Sequence, residues 1–172
     1  TGHLLLATRL REHAGLDEVW FVVSPHNPHK DISELAPDHD RLRMTELALH
    51  DHPYLKVCAV EFDLPKPSYT YQTLELLHER YPQHHFSLLI GGDNLEKLHT
   101  WKHYDRILEL AGILAYQRAG GAAEHPEARI IKLPLVDISS TEIRERLKNG
   151  LSVRYFVPEP VESYIRDKNL YR

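Results

Sequence analysis

An α/β fold, a parallel sheet with helices on both faces, is what this sequence predicts, and three observations carry the prediction. Short apolar runs rich in β-branched and aromatic residues alternate with segments of helical periodicity. The loops between them are short, and parallel neighbours need a helical crossover of this kind. At 172 residues and 42% hydrophobic, the chain can fill one core, so residues 1–172 are expected to form a single domain. Ligands of such sheets sit beyond the carboxyl ends of the strands, which points to the loops after Val23, Val60, Ile90 and Tyr116 as the walls of one site.

Taken in order, Leu5, Leu6 and Leu10, with the stem of Arg9, recur at helical spacing, and Gly15 is placed to cap that helix. Val19 to Val23 has the pattern of a strand covered on both faces and stops at Ser24-Pro25. A proline- and histidine-rich loop leads to Asp40, after which Leu42, Met44, Leu47 and Leu49 predict a second helix ending before His52-Pro53. Leu55 to Val60 predicts the next strand. The prolines of Asp63 to Ser68 make a loop, and Thr70 to Tyr81 returns to helical spacing. Phe86 to Ile90 predicts a buried strand ending on Gly91-Gly92-Asp93, followed by two short helices on either side of Trp101. Gly112 to Gln117 and Ile130 to Leu133 are strands flanking a small-residue loop, Ala119 to Glu127. Ser139 opens a well-marked helix and Pro158 begins the last one.

Composition narrows the function. A formal charge of −4 supplies no general field for a nucleic-acid polymer, so an anionic ligand must be held by local groups. No apolar run approaches the ~20 residues of a membrane span. Cys58 is the single cysteine, which rules out a disulfide framework or a thiolate zinc cage within one chain and fits a cytoplasmic setting. Lying in a buried strand pattern, its thiol is expected to be inert.

Ile138-Ser139-Ser140-Thr141-Glu142-Ile143-Arg144 joins a capping box to a run of hydroxyls with an arginine one turn inside the helix. Its free amides, the Ser140 and Thr141 hydroxyls and the Arg144 guanidinium could converge on phosphate oxygens at the positive end of the helix dipole. The same spacing also suits a well-capped surface helix. His3, near a helix start, could be a surface residue or could face the same strand-end crevice and donate to a phosphate. Thr1-Gly2-His3 carries no initiator methionine and runs straight into an apolar helix-like stretch, an end that truncation or a cleaved secretory signal would leave; binding phosphate beside His3 requires a strand upstream, so truncation is the expectation. His26-x-x-His29 and His84-His85 lack a cysteine or carboxylate at zinc-ligand spacing, and no metal ligands are assigned.

An x-G-H opening a helix, a late I-S-S-T-E-I-R and a middle G-G-D-N-L-E-K-L-x-x-W resemble the nucleotidylyltransferase superfamily, whose signatures are H-x-G-H and I-S-S-T-x-I-R. Within it, the order of Ser24 to Lys30, Pro67-Ser68-Tyr69-Thr70, Gly91 to Trp101 and the ending Asn169-Leu170-Tyr171-Arg172 is similar to the nicotinate mononucleotide adenylyltransferases along the whole chain. The resemblance implies a Rossmann-like sheet and transfer of the adenylyl group of ATP, with Mg²⁺, to nicotinate mononucleotide. The family begins with a strand and a G-G-x-F-[DN]-P-x-H turn that this sequence lacks, and His3 matches the second histidine of H-x-G-H.

By the same resemblance, His3, Ser140, Thr141 and Arg144 hold the ATP triphosphate, His3 and Arg144 acting in catalysis, and Asp93 contacts the adenosine portion. Trp101 packs on the pyridine ring, Thr70 and nearby backbone amides recognise the ring's carboxylate, and Lys30, with Asn27 and Arg118, holds the mononucleotide phosphate. Read from spacing alone, Asp93 could equally cap the helix that follows it, Trp101 could be a core aromatic, and Lys30 and Arg118 could be solvated charges. A related transferase with another phosphorylated acceptor, phosphopantetheine or nicotinamide mononucleotide, is the alternative enzyme. A nucleotide-binding module without turnover is the alternative outside catalysis.

Overall fold

The computed structural model describes residues 2–25, 35–117, 125–134 and 138–171. Seven α-helices and five strands are found among them: α1 Gly2–Ala14, β1 Val19–Val22, α2 Asp38–Leu49, β2 Leu55–Cys58, α3 Thr70–Arg80, β3 Ser87–Gly91, α4 Gly92–Lys97, α5 Tyr104–Leu110, β4 Gly112–Gln117, β5 Ala128–Lys132, α6 Ser140–Lys148 and α7 Glu159–Asp167. None of the helices is long and apolar enough to cross a membrane.

All strand pairs are parallel, as the alternation of elements requires, but the strands form two sheets rather than one. β1 pairs with β2, Val19 opposite Leu55 and Val22 opposite Cys58, and the second sheet has the order β3-β4-β5. Among the described residues β1 and β3 each pair on one side only, and both line a cleft of about 930 Å³, through Val19–Val22 and through 86–91.

Alternating side chains place a helix layer on each face. Ile113 and Ala115 of β4 pack with Leu74 of α3 and Ile107 of α5, whereas Tyr116 of β4 and Ile131 of β5 turn the other way, toward Leu10 of α1. Both α1 and α3 bridge the two sheets. Ala7 of α1 joins Val19 and Leu55 while Leu10 joins Ile131, and Leu77 of α3 packs on Cys58 and Val60 while Leu74 serves the β3-β4 core.

Local chemistry ends the elements. Gly15 takes φ +71, and Leu16 N donates to Arg11 O at 3.0 Å, the bond that closes a helix through a left-handed glycine. At the other end of the chain, Pro158 caps α7 and a further proline sits in its first turn.

Four expectations change. Leu5 is 43% exposed, because the face of α1 that meets the sheets runs through Ala7 and Leu10. The β1 segment is not covered throughout: Val19 is buried, but Trp20, Phe21 and Val22 are only half-buried beside the open edge. The second strand stops at Cys58, and Val60–Asp63 is a 3-10 helix. Its ladder ends with Val23 N donating to Cys58 O at 3.1 Å, since the next residues of the partner are Ser24 and Pro25, whose carbonyls are taken by Arg41 at 2.6 and 2.7 Å. Finally, α2 begins two residues early, at Asp38, and buried Asp40 accepts a 2.7 Å hydrogen bond from the Tyr164 hydroxyl, tying α7 to α2.

Candidate functional site

At the start of α6, Ser139 adopts an extended conformation as N-cap and its Oγ accepts from Glu142 N at 3.0 Å. With that amide satisfied, the hydroxyls of Ser140 and Thr141 stand on an exposed first turn. Arg144 donates from Nη2 to Thr141 Oγ1 at 3.3 Å, so cation and hydroxyl share one side of the helix. Amides of a first turn lack intrahelical partners and carry the positive end of the dipole. A hydroxyl, a guanidinium and free amides on one turn are a donor set for phosphate oxygens.

The amino end of α1 lies against this turn. A Cβ placed on Gly2 would sit 3.6 Å from the carbonyl oxygen of Ile138, the residue before the Ser139 cap. Two helix starts more than 130 positions apart in sequence are thereby brought together, with exposed His3 beside the pair. His3 also lines the mouth of the cleft with Thr70, Gly91, Asn94 and Tyr116. This is the carboxyl end of β3 and β4, the end at which ligands of parallel sheets are expected.

The Gly91-Gly92 turn is tight for a reason the neighbouring strand supplies. A Cβ on Gly92 would lie 2.9 Å from Gln117 Cγ, and one on Gly91 would lie 3.3 Å from the Tyr116 hydroxyl. Gln117 itself is buried, and its Oε1 has no partner among the described residues. Asp93 follows on the exposed first turn of α4, but the N-cap is Gly91 and no side chain caps the helix. The helix-capping reading of Asp93 is therefore not what the fold uses. Burial, with the Asp93 carboxylate adding to it, pushes the Tyr116 phenol above its ordinary range.

Thr70 and Trp101 meet through their sequence neighbours. The Lys102 ammonium lies 4.3 Å from the centre of the Tyr69 ring, and the His103 ring packs edge-on to Tyr71 at 4.4 Å, with His103 itself in the left-handed region at φ 53. Thr70 is thus held next to the turn that Trp101 closes. Trp101 is half-buried and leans on the cluster that contains Leu74, Leu98 and Ile107, which leaves part of its indole at the surface and part in the core. Thr70 and Tyr71 open α3, and their amides make no intrahelical bond.

Asn27, Lys30 and Arg118 lie outside the described residues. Among those that are described, His3 and Thr70 share the cleft mouth, Ser140, Thr141 and Arg144 share one turn beside His3, and Asp93 stands between the cleft-lining Gly91 and Asn94. The motifs did not single out Asn94, Tyr116 or Glu61, all of which line the cleft. The Gly-Gly pair before Asp93-Asn94 was the available signal for the first two. For Glu61 the signal was its place directly after Val60, in one of the loops expected to wall the site. Cys58 is buried, and burial raises its thiol pKa, which keeps it protonated and unreactive. No group of three His, Cys, Asp or Glu among the described residues could hold a metal ion.

The cytidylyltransferase-like family model matches residues 1–146. A relative from Flavobacterium johnsoniae named "probable nicotinate-nucleotide adenylyltransferase" is 45% identical over 177 aligned positions, covering 99% of this chain and 92% of the relative. One of the same name from Bacteroides thetaiotaomicron is 46% identical, covering 96% and 84%. The solved structure of Plasmodium falciparum nicotinic acid mononucleotide adenylyltransferase complexed with NaAD superposes with a TM-score of 0.79 over 99% of this chain and 90% of that one, at 18% identity. That last likeness is one of fold.

Proposed function

Because the chain belongs to the cytidylyltransferase-like family and, within it, to the nicotinate-nucleotide adenylyltransferases, we propose that it transfers the adenylyl group of ATP to nicotinate mononucleotide, yielding nicotinate adenine dinucleotide and pyrophosphate in cytoplasmic NAD biosynthesis. The observation that carries this reading is the meeting of the α1 and α6 starts, Gly2 against Ile138, beside a cleft mouth that also holds Thr70. It supplies phosphate donors on one side and first-turn amides of α3 on the other.

In the proposed reaction a 5′-phosphate oxygen of the acceptor attacks the α-phosphorus of ATP in line, the bond to the β-phosphate oxygen breaks, and pyrophosphate leaves. Phosphate is already an anionic nucleophile, so no protein nucleophile or carboxylate base is needed. The protein's task is alignment and charge stabilisation. His3, Ser140, Thr141 and Arg144 would donate to the triphosphate, and Asp93 would face the adenosine portion. Thr70 with its neighbouring amide would hold the ring carboxylate, and Trp101 would offer the exposed part of its indole to the ring. Asn27, Lys30 and Arg118 would hold the acceptor phosphate. The donors at the site are imidazole, hydroxyls and guanidinium, which suit phosphate rather than a cation. Mg²⁺ fits as an ion carried on phosphate oxygens and water, with Asp93 the nearby carboxylate, and when bound it would neutralise charge on the triphosphate.

The test is release of pyrophosphate from ATP with a panel of acceptors. Turnover is expected with a pyridine mononucleotide and a divalent ion together, and not with either alone. Turnover with phosphopantetheine but not with nicotinate mononucleotide would reject the assignment of acceptor, and ATP binding without any pyrophosphate release would reject the assignment as an enzyme.

A further inference from the structure

We infer that Glu61 is the positioning residue of the acceptor-recognition loop, an inference that rests on the adenylyl-transfer reading above. Glu61 lies in the 3-10 helix Val60–Asp63 directly beyond β2 and lines the cleft with Thr70 and Thr73. Its Oε2 accepts from Ser68 Oγ at 2.6 Å and its Oε1 accepts from Thr73 Oγ1 at 2.8 Å. Ser68 and Thr73 are 6% and 5% exposed, so neither hydroxyl has water to fall back on, and Thr73 Oγ1 has only the longer 3.3 Å contact to Tyr69 O besides. These two residues bracket Tyr69-Thr70-Tyr71-Gln72, the turn at which α3 begins.

The chemistry selects a carboxylate. Two buried hydroxyl donors converge from the two ends of one turn, and a carboxylate is the side chain that offers two acceptor oxygens and no donor to oppose them. Within the turn, Gln72 Oε1 accepts from Tyr69 N at 3.2 Å, which consumes the Tyr69 amide and leaves those of Thr70 and Tyr71 for a ligand. On the outer side Lys102 and His103 hold the rings of Tyr69 and Tyr71. Glu61 holds the inner side. The loop is gripped from both, and the direction in which the Thr70 and Tyr71 amides point is set by Glu61 at a distance from the reacting phosphates. Removing it should therefore disturb acceptor binding and spare ATP, whose donors stand on α1 and α6.

Steady-state kinetics for both substrates, together with melting temperature, on Glu61→Ala, Glu61→Gln, Ser68→Ala and the Glu61→Ala/Ser68→Ala double variant test this. For Glu61→Ala we expect KM for nicotinate mononucleotide to rise by about tenfold or more, the scale of a lost hydrogen bond to a charged group, while KM for ATP stays within about twofold. Glu61→Gln, which keeps one acceptor oxygen but sets an amide donor against the second hydroxyl, should recover only part of the loss, and the double variant should be no worse in KM than Glu61→Ala alone, because both break the same link. A lowered melting temperature with both KM values unchanged, equal rises in both, or additive effects in the double variant would each overturn the inference. If Glu61→Ala does not fold, the KM split in Glu61→Gln and Ser68→Ala decides in the same way. Failure of the functional reading is visible separately, in the wild type: protein that neither binds nor turns over any pyridine mononucleotide rejects that reading and this inference with it, whereas failure of the inference alone appears only in the variants.

Discussion

The central strand of the three-stranded sheet, β4, and the edge strand of the two-stranded one, β1, are built from similar apolar runs, yet they are buried to different depths. In the half built on β3-β4-β5, Ile107 and Ala115 are 0% exposed and Leu98 is 1% exposed. In the other half, Trp20, Phe21 and Val22 of β1 remain half-buried although their residue types are as apolar. The difference lies in the neighbours: β4 has a strand on each side and α3 and α5 on one face, whereas β1 has a strand on one side and the cleft on the other. The candidate site divides along the same line. Thr70 and Trp101 grow out of the tightly packed half, through Tyr71, Leu74 and the cluster around Ile107. Ser140, Thr141 and His3 stand exposed on helix starts. Stability and acceptor binding should therefore be coupled, and stability and ATP chemistry separable.

The largest expected effect probes packing directly. Ile107→Ala should cost ~2–5 kcal/mol of folding stability, the usual range for a fully buried isoleucine, and Phe21→Ala in the half-buried strand should cost clearly less, both measured by urea denaturation. Equal costs would erase the distinction between the halves.

Arg144→Ala tests separability. Loss of a charge-assisted contact to phosphate predicts a fall in kcat/KM for ATP worth ~1.5–3 kcal/mol, with an unchanged denaturation midpoint. A destabilised variant with normal ATP kinetics would place Arg144 in the structure and not in the site.

Trp101→Ala tests coupling and should do two things at once. Its half-buried indole predicts a loss of about 1–2 kcal/mol of stability, roughly half of what full burial of a large side chain is worth. Its exposed part predicts a raised KM for nicotinate mononucleotide with a near-normal KM for ATP. Loss of stability with acceptor binding intact would make it a core residue only.

The smallest effect concerns the ion pair that ties the start of α2 to the loop before α3. Lys66 Nζ lies 2.8 Å from Asp38 Oδ2, and this hydrogen bond holds the Asp38 carboxyl below its ordinary value. A depressed carboxyl stabilises the fold above its unfolded pKa of about 3.9 and loses that contribution as pH falls through the folded value. Both side chains are partly exposed, so the effect is small. In melting curves across pH, Lys66→Met should be slightly less stable than wild type near neutrality and converge with it at low pH. A constant gap would assign the contribution of Lys66 to packing.

What the sequence determined by itself was local. Gly112 to Gln117 is a strand over the residues its pattern marks, Ser139 caps α6, and Gly15 closes α1 in the left-handed region. Each of these depends on a residue and its near neighbours: a hydroxyl reaching an amide three positions on, a missing Cβ, a short apolar run. The order of strands and helices, and through the motif resemblance the family, were legible in the same way. What the tertiary structure decided was which groups meet. Leu5 turned outward because the sheets contact another face of its helix, and the second strand stopped at Cys58 because its partner ended. Asp93 gave up the cap to Gly91. His3 came to the Ser140 turn through Gly2 and Ile138, Thr70 came to Trp101 through Tyr69 and Lys102, and Glu61 acquired two hydroxyl partners that no spacing announces. Burial and convergence are properties of residues brought together across the chain, and periodicity reports which face of an element is apolar without reporting what that face will touch.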